Sequence, residues 1–408
     1  MTALARNPQV RSNFIFAVTI AVYSGLVSLI AWSLIPRLGI VADPAWGMDY
    51  EVYLRAAREI WTEALYEDRE ILPFRYPPIA AVFFLPLRLV SEAFGHNVLN
   101  TLSVAATVVI SYCVLGWYRV GTVQVRQVLA FAATTVLVLG TPWRTELALG
   151  QINSILLAFI IIAVTRRLDG ARWGALLGVS IAIKLAAGIV VPGLLLLRRW
   201  KTAVAAVCSF LLSIVIGFAV IPKNAATFWF ETFPRMSGGA PRSEIFSQNL
   251  SGALPRFGFG QGIDLAVILC WCCLLVLTVL GVVIAARQRD LLKVTFVLGV
   301  AGLLGQPVTW THHWVWLGPA AIVFAISIAR ARLKWPWILS LALVLATVLF
   351  PVGYAMPGNS LTGMGLPVWQ ALVASSYVLT GFALLVLIPL SPIRPAHDVM
   401  APQEEARA

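Results

Sequence analysis

"IDLAVILCWCCLLVLTVLGVVIAARQR", residues 263–289, decides the fold class. Residues 263–286 hold one acid and no base, and the run is long enough to cross the ~30 Å hydrocarbon core of a bilayer as a helix. Arg287 and Arg289 close it, as basic residues do on the cytoplasmic side of a span. The whole chain repeats the pattern: its 408 residues are 60% hydrophobic and 12% charged, with a mean hydropathy of +0.86. Soluble domains carry about 25% charge, so an all-α polytopic membrane protein is expected. The net charge of +12 does not point to nucleic acid, because the basic residues fall in short clusters between apolar runs. Cys113, Cys208, Cys270, Cys272 and Cys273 all lie inside such runs. They read as small core or lipid-facing residues rather than disulfides or metal ligands.

Working outward, spans are expected at about 14–35, 97–117, 127–141, 151–165, 202–221, 263–286, 291–306, 314–329, 335–352 and 367–390. The first is too long for a signal-peptide core and is read as an uncleaved span. Two apolar segments fit poorly: 77–90 carries prolines at 77, 78 and 86, and 173–197 contains Lys184. The basic clusters Arg6/Arg11, Arg119/Arg126, Arg166/Arg167/Arg172, Arg198/Arg199/Lys201, Arg287/Arg289, Arg330/Arg332/Lys334 and Arg394 share one side only if both segments enter and leave on the same side. Each is then a broken or re-entrant hairpin, tolerated where backbone is buried in protein or lines a cavity. The expectation is one transmembrane domain over 1–392 with about 10–12 membrane helices in a plasma membrane. Both termini, including a tail at 393–408, are placed in the cytoplasm.

Loops 36–76, 142–150 and 222–262 then share the outer face with "TWTHHWVW" (309–316) and with the tip of the Lys184 hairpin. Loop 36–76 holds 8 of the 18 acidic residues, so its charge is concentrated there. Within "GMDYEVYLRAAREIWTEALYEDRE" (47–70), Tyr53, Ala56, Ala57, Ile60, Trp61 and Ala64 recur at helical spacing opposite charged residues, predicting a helix in the membrane interface. Asp49 at its start is either an N-cap or a carboxylate held beside a cavity. Arg75, before Pro77 and Pro78, is either a snorkelling cation or a phosphate contact. Gln151 and Asn153 are either interhelical hydrogen-bond partners or site residues. Lys184 is harder to dismiss, since an ammonium in an apolar segment costs about 2.5–3.5 kcal/mol unless it reaches water or an anion. Loop 222–262 carries Lys223, Arg235, Arg242 and Arg256 around "FSQNLSG" (246–252) and reads as a lid or acceptor loop, or simply as a solvated one. His312 and His313, two of four histidines, are either incidental to an aromatic belt of Trp310, Trp314 and Trp316 or donors to an anion.

Several of these stretches recur in a known family. "RYPPIAAVFFLPL" (75–87), "LGQINSILL" (149–157), "AIKL" (182–185) followed by "LLRRW" (196–200), and "TWTHHWVWLGP" (309–319) occur in a familiar order and spacing. Together they resemble the actinobacterial polyprenol-phosphate-mannose-dependent α-mannosyltransferases, a branch of the GT-C glycosyltransferases. The resemblance covers about residues 45–320 and is strongest to enzymes that add α-1,2-mannose to phosphatidylinositol mannosides or lipomannan. It implies a GT-C-type helix bundle with its active site on the outer face. It also implies that Asp49, in "GMDYEVY", is the catalytic base, with His312, His313, Lys184 and Arg75 near the donor phosphate. Tyr76, Gln151, Asn153, Gln248, Asn249 and Trp310 follow as substrate contacts. Two departures bear on the acceptor more than on the reaction: Ala186-Ala187 stands where family members often have Thr-Pro, and Ser247-Gln248-Asn249 where they often have Asn-Gln-Ser.

The residues support this chemistry in part by themselves. A lipid-linked sugar phosphate needs an apolar groove, cations for its phosphate and a base for the incoming hydroxyl. One carboxylate without an evident partner favours single displacement with inversion, giving an α-mannoside from a β-mannosyl phosphate. No Asp-x-Asp pair is available for a metal, so metal independence and no cofactor beyond the lipid donor are expected. No obligate protein partner is evident, and membrane lipids form the surroundings. A tension remains: a carboxylate that caps a helix has a depressed pKa and is a poorer base. Other readings are an arabinofuranosyltransferase using a polyprenyl-phosphate pentose and, from another class, a transporter or lipid flippase. Transporters tend to place polar residues at the midplane of internal repeats, whereas here they gather at outer ends.

Overall fold

Every apolar run folds as helix, and the places where helices stop are the places where polar residues gather. A computed structural model describes residues 8–37, 46–67, 72–166, 168–236, 244–259, 265–350 and 366–395. Arg6, Arg167 and Arg242, and the tail from residue 396, lie outside the described residues. Among the described residues the only extended pairing is a single bridge between Ser247 and Trp310.

The segment after α1 (Pro8–Leu34) carries α2 (Met48–Glu59), and α3 (Pro78–Phe84) begins at the paired prolines. Then come α4 (Glu92–Trp117), α5 (Val123–Val138), α6 (Thr141–Leu149) and α7 (Asn153–Thr165). Next are α8 (Ala171–Ile183), α9 (Val191–Leu196), α10 (Trp200–Val220) and α11 (Pro222–Thr227). The last part holds α12 (Leu265–Arg287), α13 (Leu291–Gly305), α14 (Leu317–Arg330), α15 (Trp335–Leu349), α16 (Val368–Ala374) and α17 (Ser376–Leu390). Among the described residues, five helices are long and apolar enough to cross a membrane: those at 12–34, 92–117, 200–220, 265–287 and 311–330. Two bent pairs, α5 with α6 at 77° and α16 with α17 at 65°, bring the number to seven. All ten expected spans coincide with helices, but α7, α13 and α15 have 13, 15 and 15 residues. That is about 20–22 Å at 1.5 Å per residue, short of the ~30 Å core. The cause is local for two of them: Gly150 takes a left-handed φ of +74° before α7, and Pro307, lacking an N–H, follows the end of α13.

The lipid-facing and protein-facing sides are distinguishable by side-chain size. On α1, Phe14, Ile15, Val22 and Leu29 are exposed while Ser24 and Ser28 are buried, and Ser28 Oγ donates to the Asn97 carbonyl of α4 at 3.2 Å. Small residues let membrane helices approach closely. Gly174 and Gly178 of α8 take this furthest: a Cβ on Gly174 would lie 2.2 Å from the Thr202 carbonyl oxygen, and one on Gly178 would lie 2.5 Å from Ser209 Cβ.

These contacts also settle a topological expectation. Positions 174 and 178 of α8 meet 202 and 209 of α10 in increasing order, so the two helices run parallel. Residues 184–197 must therefore return to the starting end, and the expected hairpin is present with Lys184 at its break. Asp169 closes the base of the hairpin by accepting the backbone N–H groups of Lys201 and Thr202 at 2.9 and 2.8 Å. Another basic end is knitted by Asp290, which accepts Trp117 Nε1 and Tyr118 Oη, each at 3.0 Å, and the Lys293 N–H at 3.2 Å. Lys293 Nζ in turn donates to the carbonyls of Ser391 and Ile393, and Arg330 donates to the Arg119 carbonyl.

Gly174→Ala is expected to lower the thermal unfolding midpoint of the detergent-solubilised protein, because the new methyl meets backbone rather than a flexible side chain; overpacking of this kind costs about 1–3 kcal/mol. Gly116→Ala, whose Cβ would meet nothing within 4 Å, is the control and should be neutral or stabilising. Equal midpoints for the two variants would refute the close α8–α10 approach.

Candidate functional site

The site begins with α2. Its apolar stripe exists as expected, with Val52, Tyr53, Ala56 and Ala57 all buried. The stripe packs on protein, on α3 and on the turn Leu85–Leu89, with Tyr53 stacked on Phe84 at 4.3 Å. Trp61 and Ala64 lie beyond the end of the helix, and Trp61 is exposed. Asn224 of α11 satisfies the carbonyls of Ile60 and Thr62, both at 2.9 Å, which ties the second outer loop to this helix end. An exposed Lys223–Glu63 pair at 2.8 Å adds to the seam.

Asp49 is not the N-cap. That position belongs to Gly47, at φ +72°, and no side chain caps the helix. Asp49 stands in the first turn and engages the Gln151 side chain instead. Burial raises its carboxyl above the ordinary value of 3.8, while the Gln151 hydrogen bond and the Lys184 charge pull it back in part. The depressed pKa expected of a capping carboxylate is therefore absent from Asp49.

Gln151 and Asn153 flank the turn into α7 and connect the carboxylate to the membrane lysine. Tyr53 Oη donates to Gln151 Oε1 at 2.9 Å and meets Tyr76 Oη at 3.1 Å. Asn153 Nδ2 donates to Gln151 Oε1 and to the His312 carbonyl, both at 3.4 Å. Lys184 Nζ donates to Asn153 Oδ1 at 2.7 Å and lies 3.1 Å from His313 Nε2 and 6.0 Å from the Tyr76 ring centre. The Trp310 N–H donates to His313 Nδ1 at 3.1 Å, so a neutral ring carries its proton on Nε2, facing the ammonium. Two donors thus converge on one point, a geometry suited to gripping an anionic oxygen. His312 is buried with its ring edge-on to His313 at 4.6 Å, and its Nε2 has no hydrogen-bond partner.

Asp49, Tyr76, Gln151, Asn153, Lys184, His312 and His313 are therefore brought together. Arg75 is exposed, next to Tyr76 but outside the buried network. Gln248 and Asn249 are fully buried and engaged elsewhere: Gln248 Nε2 donates to the carbonyls of Ile245 and Ala374, and Asn249 Nδ2 to those of Gln306 and Pro307. Arg256, expected on a solvated basic loop, is also fully buried and donates to the carbonyls of Ala374, Glu244, Ile245 and Ser247. The aromatic belt is likewise corrected. Trp314 is fully buried with Nε1 on the Gln248 carbonyl at 3.0 Å, and Trp316 covers Gly299 so closely that a Cβ there would meet its ring at 2.4 Å. Trp310 contributes its backbone N–H to His313.

Two residues escape sequence reasoning. Tyr53 reads only as part of an apolar stripe, although its hydroxyl sits inside the network. Glu146 lies in "TPWRTELALGQIN", where the one signal is an acid inside an otherwise apolar stretch; it is fully buried beside the Gln151–Asn153 turn.

Comparison with known proteins places this geometry. Residues 74–309 match glycosyltransferase family 87. The chain is 31% identical to the polyprenol-phosphate-mannose-dependent α-(1-2)-phosphatidylinositol mannoside mannosyltransferase of Mycolicibacterium smegmatis, over 90% of this chain and 91% of that protein. It is 29% identical to the protein of the same description from Mycobacterium tuberculosis, over 78% and 77% of the two chains. It is 31% identical to a polyprenol-phosphate-mannose-dependent α-(1-2)-phosphatidylinositol pentamannoside mannosyltransferase of the same species, over 78% and 74%. With its helices, its converging site residues and these matches taken together, the chain belongs to glycosyltransferase family 87.

Proposed function

We propose that this membrane glycosyltransferase moves mannose from a polyprenyl-phosphate-mannose donor to a phosphatidylinositol mannoside or related lipomannan acceptor, forming an α-1,2 linkage with inversion at the outer face of the plasma membrane. The observation that carries the reading is the chain Asp49–Gln151–Asn153–Lys184–His313, with a carboxylate at one end and two converging N–H donors at the other. The names of the relatives supply the substrate class.

In this mechanism the acceptor hydroxyl gives its proton to the Asp49 carboxylate while its oxygen bonds to the anomeric carbon. The bond from that carbon to the phosphate oxygen breaks on the opposite face, and the electron pair leaves with polyprenyl phosphate. Lys184, His313 and His312 meet the charge that develops there, acting only as strongly as the phosphate becomes more anionic. Arg75, exposed at the rim, suits a steering contact with the donor headgroup. With the Lys184 ammonium and the imidazole N–H donors available to the phosphate the proposed mechanism calls on no metal, and an excess of chelator should leave the transfer rate unchanged; a rate restored only by a divalent ion would overturn this part. The basic clusters at the ends of α4, α12 and α14 support a cytoplasmic placement for that side, leaving the site outside.

The decisive experiment supplies purified protein with polyprenyl-phosphate-mannose and a panel of mannolipid acceptors. Wild type should transfer mannose, and Asp49→Asn should lose about 10²–10⁴-fold in kcat, the usual share of a general base. Absence of transfer by wild type across the panel would sink the proposal. Lys184→Met should raise the donor KM by about 10- to 100-fold, the loss of a charge-assisted hydrogen bond.

Because Asp49 must be ionised to act, the rate should fall as pH drops through its pKa. Burial puts that acidic limb above 3.8. The Gln151 hydrogen bond lowers the pKa, so Gln151→Leu should move the limb to higher pH. A limb that stays in place or moves down would separate Gln151 from the base.

A further inference from the structure

Glu146 is a fully buried carboxylate that the mechanism does not use. It stands on α6, the short helix set at 77° to α5. Its two acceptor sites reach across the turn that follows. The backbone carbonyl of Glu146 accepts the Gln151 N–H at 2.9 Å. Its side-chain Oε1 accepts the Ser154 N–H at 2.8 Å, where the first turn of α7 has an N–H without an intrahelical partner. Residues 151–153 are thus held between two bonds to one residue. Those three residues carry the amide that engages Asp49 and the amide that takes the Lys184 proton donor. The turn is also tight from the other side: Gly150 sits at φ +74°, and a Cβ there would lie 2.7 Å from Tyr50 Cβ.

A helix cap alone does not call for a residue of this kind. Asn or Ser close to the helix start caps with a short reach, whereas Glu146 acts from eight residues upstream and from a different helix. Its second oxygen, Oε2, is buried near the Ser103 and Ser154 side chains rather than turned to water, as the free oxygen of a simple surface cap would be. Glu146 is also within electrostatic reach of Lys184.

We propose that Glu146 is a positioning residue for the transfer reaction: by bridging Gln151 N–H and Ser154 N–H it fixes the turn whose two side-chain amides hold the base Asp49 and the phosphate-binding Lys184 in register. The inference rests on the function proposed above. It assigns Glu146 no contact with substrate and no proton of its own.

Two conservative variants separate reach from ionisation. Glu146→Gln keeps an oxygen at the same distance for the Ser154 N–H and cannot ionise. Glu146→Asp keeps an ionisable carboxyl and is one methylene too short to reach. Each is measured for kcat, donor KM and the acidic limb of the pH–rate profile, with the thermal midpoint recorded alongside. Glu146→Asp should lose about 10- to 100-fold in kcat, as misplacement of reacting groups does, and its acidic limb should move to higher pH because the Gln151 hold on Asp49 loosens. Glu146→Gln should keep the limb where wild type has it and recover most of that kcat. A merely structural role would lower the midpoint of Glu146→Asp and leave its limb in place, which overturns the proposal. Loss in Glu146→Gln with retention in Glu146→Asp overturns it too, since the ionisable carboxyl would then be what matters. If wild type itself transfers no mannose in the same assay, the function fails and not the positioning. The turn is then tested by amide hydrogen exchange at 151–154, which should speed up in Glu146→Asp and stay slow in Glu146→Gln; no difference overturns it.

Discussion

Most of the local architecture around the site follows from the need to solvate one ammonium. Lys184 sits at the break of an apolar hairpin, and a charge in such a segment costs about 2.5–3.5 kcal/mol unless polar groups reach it. The backbone answers first: α8 stops at Ile183 and Lys184 takes an extended conformation, φ −139° and ψ 101°, before the chain turns back. The neighbours answer next. Asn153 stands at the first position of α7 with its amide oxygen on Nζ, and His313 arrives from the Thr311–Trp316 turn. Asn153 accepts from the ammonium, whereas His313 sets a second N–H donor beside it, so segments far apart in the chain meet around one point.

Non-helical backbone near a membrane core raises a second demand, since each free carbonyl needs a donor. The outer segments meet it with long polar side chains. Arg256 alone serves four carbonyls, Asn249 and Gln248 two each, and Asn224 the end of α2. Residues that look like substrate contacts when read as composition are thus occupied as backbone donors. Among the described residues, Gln248 braces the His312–His313 turn, its N–H on the Thr309 carbonyl and its carbonyl accepting Trp314 Nε1. Trp314 shows the same economy, its ring filling the core and its N–H taking the Gln248 carbonyl.

What was legible in the sequence was whatever hydropathy and charge asymmetry encode over long stretches. The spans, the Lys184 hairpin and the convergence of Asp49, Gln151, Asn153, Lys184 and His313 at one end all follow from counting basic clusters against apolar runs. Helix lengths were not legible, because α7 and α13 end on backbone details at Gly150 and Pro307 that hydropathy averages over. Asp49 could be read as a cap or as a carboxylate beside a cavity, because an acid near a helix start is often a cap; that Gly47 takes the cap position depends on a left-handed φ that composition does not encode. The tryptophans around the histidines have the composition of a belt and the burial of a core, and only packing distinguishes the two. Glu146 was hidden by its surroundings, since its importance lies in which N–H groups it reaches.

The proposed chemistry depends on keeping Asp49 and Lys184 near each other without letting them pair. A direct Asp49–Lys184 ion pair would depress the carboxylate pKa and weaken the base, and it would use the charge that the leaving phosphate needs. Gln151 and Asn153 stand between them as neutral spacers: one binds the carboxylate, the other the ammonium, and the two amides touch at 3.4 Å. Amides can satisfy both partners because each offers a donor and an acceptor. A carboxylate at either position would lack the donor. The spacing leaves burial as the largest influence on Asp49, raising its pKa against the smaller opposing pull of Gln151 and Lys184. The turn that sets this separation is held by Glu146 at both of its ends, so the base and the cation are governed by one short stretch of backbone.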